Sequence, residues 1–191
     1  VMASQTELYN LALQKLGVRA ISSTGEDSPA ARACNRCYEL LRKAELRAHP
    51  WNFNIERVQL AASVTEPAFG RDNFFPLPAD FLNIRPQDPF YNTEDTDYQI
   101  EGRNIVSDLS DPIDLRYGKD VTDVSVMDPC FVEALACRMA VQMATELTDS
   151  NVKKSDLKED YRMAVMEARR ANAFENRPQD TAPDRWETIR D

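Results

Sequence analysis

Residues Asp128–Asn176, DPCFVEALACRMAVQMATELTDSNVKKSDLKEDYRMAVMEARRANAFEN, decide the fold. They read as two helices joined near Thr148–Ser155, with the rest of the chain built around the first. Asp128-Pro129 is a start signal: a carboxylate placed to cap free amides, then a proline at the first helical position, where no N–H is needed. From Cys130 to Leu147 the pattern is apolar almost all round, through Phe131, Val132, Ala134, Leu135, Cys137, Met139, Ala140, Val141, Met143 and Ala144. Only a narrow stripe of Arg138, Gln142 and Glu146 interrupts it. A helix apolar on nearly every face must be surrounded by protein. At about 20 residues it spans roughly 30 Å, the height of a small domain. Its alanines let neighbouring backbones approach closely. The sequence thus predicts a hub helix.

The partner helix puts Leu157, Tyr161, Ala164, Val165, Ala168 and Ala171 on one face, with Lys158, Glu159, Arg162, Glu167, Arg169 and Arg170 solvated. Pro178 marks its end. Near the N-terminus, Ser4-Gln-Thr-Glu7 is a capping-box pattern. Leu8, Leu11, Ala12 and Leu16 then recur at helical spacing, widened by Tyr9 and Leu13, and Gly17 sits where a left-handed C-terminal residue belongs. Val18 to Asp27 is a loop. Ser28-Pro29 opens the second helix, whose predicted buried stripe is Ala30, Ala33, Cys34, Cys37, Tyr38, Leu41, Ala44 and Ala48. Pro50 disfavours helical geometry at His49, so the helix should end there.

After Trp51-Asn52-Phe53 the pattern changes. Tyr98–Val106 alternates with period two around Gly102 and reads as a hairpin; Ile113–Tyr117 reads as a half-buried strand. Phe75–Leu82 (FPLPADFL) is too proline-rich for a central strand. Gln87–Asp97 reads as an acidic, exposed loop. The predicted fold is therefore mainly α: an antiparallel bundle of about four helices with a small β-rich insertion and an extended C-terminal arm. Residues 1–53 and 127–177 are the helical body, 54–126 the insertion and 178–191 the arm. The arm is charged and proline-bearing, with too few apolar residues to pack alone. It is either a frayed terminus or a segment whose Trp186 and Ile189 dock on another chain, Trp being a favoured interface anchor.

Composition bounds the function. With 191 residues, 42% hydrophobic and 29% charged, the chain has the make-up of a globular domain or little more. No apolar run approaches the roughly 18 residues of a membrane span, and the N-terminus carries no signal-peptide pattern. A reducing compartment follows, with four cysteines as free thiols. The net charge of −9 argues against bulk attraction to DNA, which works through counterion release by a basic surface. It leaves open a protein that surrounds DNA without adhering to it. Neither GxGxxG nor a P-loop is present.

The candidate chemistry is thin. Cys34-x-x-Cys37 lies about a turn inside its helix rather than at the N-terminus, where amide dipoles lower a thiol pKa. Cys130 and Cys137 share a face of the hub helix. A four-thiolate zinc site would need both pairs to converge without the short knuckle spacings such sites use. Core packing accounts for all four. His49 is the lone histidine and reads as a helix-end residue. The many carboxylates permit a glycosidase-like pair on paper, but none falls in an apolar setting. The basic run Arg32, Arg36, Lys43 and Arg47 faces away from the second helix's apolar stripe. A solvated face is its first reading, contact with the negative surface of another subunit its second, and contact with phosphates its third.

Taken in order, the segments LYNLALQKLGV, HPWNFNIERVQLA, FPLPADFLNI, YQIEGRNIVSD, IDLRYGKDVTDVSVMDPCFVEALACRMAVQMATELTDS and DYRMAVMEARRANAFENR resemble the head-to-tail adaptors of short-tailed bacteriophages, the tail tubular protein A family. The resemblance covers nearly the whole chain and rests on the succession of motifs, since no single one is catalytic; the cysteines depart from it. It implies a virion protein, made in the host cytoplasm and placed at the head–tail junction. There a ring of twelve copies joins the portal protein to the tail nozzle and to fibres or tailspikes. Genome DNA passes through its lumen without sequence-specific binding. It implies no enzyme activity, no cofactor, no metal and no membrane. In that picture Arg32, Arg36, Lys43, Arg47, Arg185, Trp186 and Ile189 face the portal or a neighbouring subunit, and Asp88, Phe90, Tyr91 and Glu94 face the tail. The rivals are a phage cell-wall hydrolase with a carboxylate pair, and a siphovirus-type head-completion protein.

Overall fold

The computed structural model describes residues 4–85, 98–148 and 151–175. Helices α1 (Gln5–Leu16), α2 (Pro29–Ala48), α3 (Pro129–Thr148) and α4 (Asn151–Phe174) enclose one apolar core. Each start signal works as the sequence indicates. The Ser4 side chain accepts from the Glu7 amide while Glu7 reaches back to the Ser4 amide, and Gly17 closes α1 in the left-handed region at φ 68°. Ser28 accepts from the Ala31 amide beside Pro29. Asp128 Oδ1 accepts from the amides of Cys130 (2.8 Å) and Phe131 (3.2 Å). These bonds satisfy amides that the first helical turn leaves without partners.

α3 is the hub. It buries Phe131, Val132, Ala134, Leu135, Met139, Ala140, Met143 and Ala144, among others, and packs against α1, α2 and α4. Its Gln142 and Glu146 are exposed, as the polar stripe requires, while Arg138 is half-buried. α4 lays Leu157, Val165 and Ala168 into the same core, with Tyr161 and Ala164 packed at its margin. On α2 the buried face carries Ala31, Cys34, Tyr38, Leu41 and Leu46. Ala48, predicted to be buried, is exposed. The last turn of α2 runs past the core, which Leu46 and Trp51 close at that end.

The β region is larger than the sequence suggests. Among the described residues six strands, β1 (Ile55–Leu60), β2 (Asn73–Pro76), β3 (Phe81–Ile84), β4 (Tyr98–Glu101), β5 (Asn104–Ser107) and β6 (Ile113–Lys119), form two three-stranded antiparallel sheets, ordered β1-β6-β3 and β2-β5-β4. The expected hairpin is β4–β5, with Ile100 opposite Ile105 and Gly102 in the turn at φ 57°. Pro76 sits on the edge strand β2, where a missing amide costs no ladder bond. Leu60, Phe75, Leu77, Ile105, Ile113, Leu115 and Tyr117 make a second core shared by the two sheets.

The expectation of a mainly α bundle with a small insertion is therefore corrected. Among the described residues four helices are present, but those residues are 51% helical and 19% strand, a mixed α/β fold with two antiparallel sheets. The physical reason lies in β1 and β3. Ile55-Glu-Arg-Val-Gln-Leu60 spaces its apolar residues three and then two apart, so neither period dominates. β3 is only four residues long. Both become strands by pairing with β6, whose alternation is clean: Ile113, Leu115 and Tyr117 are buried and Asp114 is exposed.

Where the sheet meets the helices, Gly118 of β6 lies close under the side chains of Asn83 and Arg85. A Cβ on Gly118 would lie 2.5 Å from Asn83 Oδ1, 3.1 Å from Arg85 Nε and 3.2 Å from Arg85 Nη2. Arg85 cannot withdraw, because its Nη2 donates to the carbonyls of Leu46 (3.0 Å) and His49 (2.6 Å). Gly118→Ala is expected to cost about 1–3 kcal/mol, as overpacking does in a closely filled interior. Urea unfolding followed by circular dichroism measures it; a change within about 0.5 kcal/mol, the range of an ordinary surface substitution, would show that the junction yields.

Candidate functional site

The Ser28 cap and Pro29 fix the phase of α2, and that phase turns Arg32, Arg36, Lys43 and Arg47 away from the apolar core. The structure gives each a partner. Arg32 pairs with Asp27, and Arg36 reaches across to Glu146 on α3. The latter bond holds the Arg36 guanidinium above its ordinary pKa. Lys43 bridges Glu39 (2.5 Å) and Asp120 (3.7 Å), and its pKa is raised chiefly by the Glu39 hydrogen bond. Arg47 donates to the Leu82 carbonyl of β3, a neutral acceptor. The stripe is thus a set of clips as well as a surface: it ties α2 to its leading loop, to α3 and to the sheet. Asp88, Phe90, Tyr91, Glu94, Arg185, Trp186 and Ile189 lie outside the described residues.

The charged groups that matter most to the fold are not on that stripe. Arg42, 2% exposed, donates to both carboxylate oxygens of Asp120 and to the Val121 carbonyl, with its guanidinium 5.7 Å from the Tyr38 ring centroid. Glu45, 1% exposed, accepts from Arg138 of α3 and from the Tyr161 hydroxyl of α4 (2.9 Å). Burial, with Glu45 beside it, pushes the Tyr161 pKa up to about 12, so the phenol remains a proton donor. Helical phase was the available signal: Arg42 follows Tyr38 by four residues and Glu45 follows Leu41 by four, which places both on the inward face. Charge type hid it.

The C-terminal end of α2 collects the buried Asn54, Arg85 and Asn172. The last carbonyls of a helix have no partner within it. Here Leu46 receives Arg85 Nη2 (3.0 Å) and Asn54 Nδ2 (3.2 Å), and the Trp51 indole donates to Glu45 (3.0 Å). Arg85 arrives from the end of β3, so the sheet supplies the cap. Burial pulls its pKa down, helped by the nearby Arg116 and Arg47. Asn172 of α4 donates to the Pro50 carbonyl (3.1 Å) and accepts from the Asn52 amide (2.8 Å). His49, the helix-end histidine, stacks edge-on to Trp51 at 4.7 Å. Its pKa is lowered by burial and by Arg169 and Arg85. Its ring nitrogen faces Asn172, at 3.3 Å from Nδ2. This corner joins α2, α4 and the sheet.

The thiols are packing residues. Cys34 and Cys137 are buried and Cys37 and Cys130 half-buried, all four free. Burial pushes the Cys34 thiol up to about 12 and Cys37 up to about 11, the reverse of an activated pair. Among the described residues no three His, Cys, Asp or Glu side chains are grouped to hold a metal ion. No described helix is long and apolar enough to cross a membrane. A depression of about 480 Å³ runs along α1, lined by Glu7, Asn10, Leu11, Gln14 and Val18. Its one carboxylate, Glu7, is held in the capping box.

The outer surface is apolar in particular places. Met163 (60% exposed), Met166 (68%) and Phe174 (76%) follow one another along α4, on the side away from α3, with Arg170 over the Phe174 ring. Leu40 (73% exposed) stands on the outer face of α2 between Arg36 and Lys43. The sequence reading treats α4's outer side as solvated and passes over both features. Their signal was spacing: 163, 166, 170 and 174 recur at three and four residues, opposite the packed stripe. No family model matches the chain, and no curated protein matches it in sequence.

Proposed function

We propose that this chain is a structural subunit of a bacteriophage neck, a head-to-tail adaptor that assembles as a ring between portal and tail nozzle and lets genome DNA pass. One observation carries the reading. Buried and half-buried charged side chains hold elements together through Arg42–Asp120 and Glu45–Arg138, and the exposed pair Arg36–Glu146 ties α2 to α3. Meanwhile α4, already packed on one side, keeps Met163, Met166 and Phe174 turned outward. An apolar helix face without a partner marks an interaction surface. This is the economy of an assembly part: a rigid body with a reserved contact face. The order of sequence motifs supports the phage assignment. The net charge of −9 suits a lumen in which adhesion to phosphates would impede sliding.

The test is native mass spectrometry of the protein alone and mixed with its portal ring. Alone it should be monomeric or weakly associated; on the portal it should add in multiple copies. Failure to add would overturn the assignment, as would clearing of a peptidoglycan suspension by the purified protein. Removal of residues 178–191 is expected to leave the fold intact and weaken docking.

A further inference from the structure

Two outward faces of the helical body complement one another. On α2, Arg36, Leu40, Lys43 and Arg47 recur at steps of four, three and four residues, which places them in one line along the helix. The line is cationic and contains one large exposed apolar side chain. On α4, Asp156, Glu159, Met163 and Met166 recur at steps of three, four and three, all exposed. That line is acidic at one end, where Glu159 also pairs with Arg162 at 3.4 Å, and apolar at the other. Each extends over about 15 Å at 1.5 Å per residue, so the two match in length.

We propose that the α2 line of one copy docks on the α4 line of a second copy, in a head-to-tail contact with Leu40 seated against Met163 and Met166. Lys43 and Arg47 then face Asp156 and Glu159. One copy cannot satisfy itself, since Leu40 on α2 and Met163 and Met166 on α4 all stand exposed on the outside of the same body. Each docked copy therefore leaves one face free at either end of the assembly. Such a heterologous contact propagates until it closes, and closure into a ring rests on the neck-adaptor reading above. Nucleic acid is a poorer occupant of the α2 line. A phosphate backbone offers nothing apolar to Leu40, and a chain of net charge −9 repels it.

Complementary disruption tests the contact. Leu40→Glu spoils the α2 line and leaves α4 intact; Met166→Arg does the reverse. Circular dichroism melts first establish that both variants fold. In sedimentation velocity over a concentration series, the wild type, weakly associated at low concentration, is expected to gain mass beyond a dimer as its concentration rises. Each variant alone should associate at least tenfold more weakly, and their mixture should form a one-to-one dimer and nothing longer. The proposal falls if the wild type stays monomeric throughout, if either variant associates as the wild type does, or if the mixture stays monomeric. The two readings separate cleanly. Association through these faces without loading onto a portal removes the neck assignment and keeps the contact. Loading by both variants at wild-type levels keeps the assignment and removes the contact.

Discussion

Replacing Trp51 by alanine is expected to cost about 3–5 kcal/mol of folding stability, the range for emptying a buried aromatic site. Trp51 is 1% exposed and stands where α2 gives way to β1. Its ring meets His49 at 4.7 Å and Phe131 at 5.1 Å edge-on, and stacks with Phe53 at 6.3 Å. Phe131 opens the hub helix, so one side chain joins the α2 terminus, the following 3-10 turn and the first turn of α3. The indole N–H also holds the Glu45 carbonyl at 3.0 Å. Trp51→Phe separates these contributions. It keeps most of the aromatic contact and leaves that carbonyl without its donor, a loss of about 1–3 kcal/mol. Urea unfolding monitored by circular dichroism gives both values. An alanine variant within about 1 kcal/mol of wild type, near the mean for arbitrary substitutions, would mean that the corner is held by its hydrogen bonds alone.

That corner also shows what the sequence discloses and what it hides. Helix starts were legible because each is written within four residues: Ser4 with Glu7, Ser28 with Pro29, Asp128 with Pro129. The hub character of α3 was legible because a helix apolar all round has only one place to go. Gly102 declared its hairpin, and β6 its alternation. β1 and β3 were not legible, since what makes them strands is β6, more than twenty residues further along the chain. The same distance hid the buried charges. Arg42 meets Asp120 across 78 positions, Glu45 meets Arg138 across 93, and Arg85 meets Leu46 across 39. Of the candidate surface, the basic line on α2 could be read from its spacing. Its internal partners Glu146 and Asp120 could not, and neither could the apolar outer line of α4, which charged neighbours obscure in one dimension.

Losing Arg138 is expected to do more harm than losing Glu45, although the two form one ion pair. The asymmetry comes from solvent. Glu45 is 1% exposed on its side chain, whereas Arg138 keeps 28% of its own. In Glu45→Gln the guanidinium can turn toward water, and Tyr161 retains an amide oxygen to donate to. Breaking a buried pair from one side costs about 3–5 kcal/mol when the survivor stays buried, so Arg138→Met should reach that range and Glu45→Gln should fall below it. Glu45→Met with Arg138→Met removes both charges. It should recover most of the loss, because apolar replacement of a buried pair is often neutral or stabilising by about 1–4 kcal/mol. The remaining deficit would come from the Tyr161 hydroxyl, now without its 2.9 Å acceptor. A double-mutant cycle by urea denaturation, closed with the Glu45→Met single variant, reports the coupling directly. A coupling near zero, or a larger loss for Glu45→Gln than for Arg138→Met, would show that the carboxylate reaches water in solution. α2, α3 and α4 would then be joined at this point by packing alone.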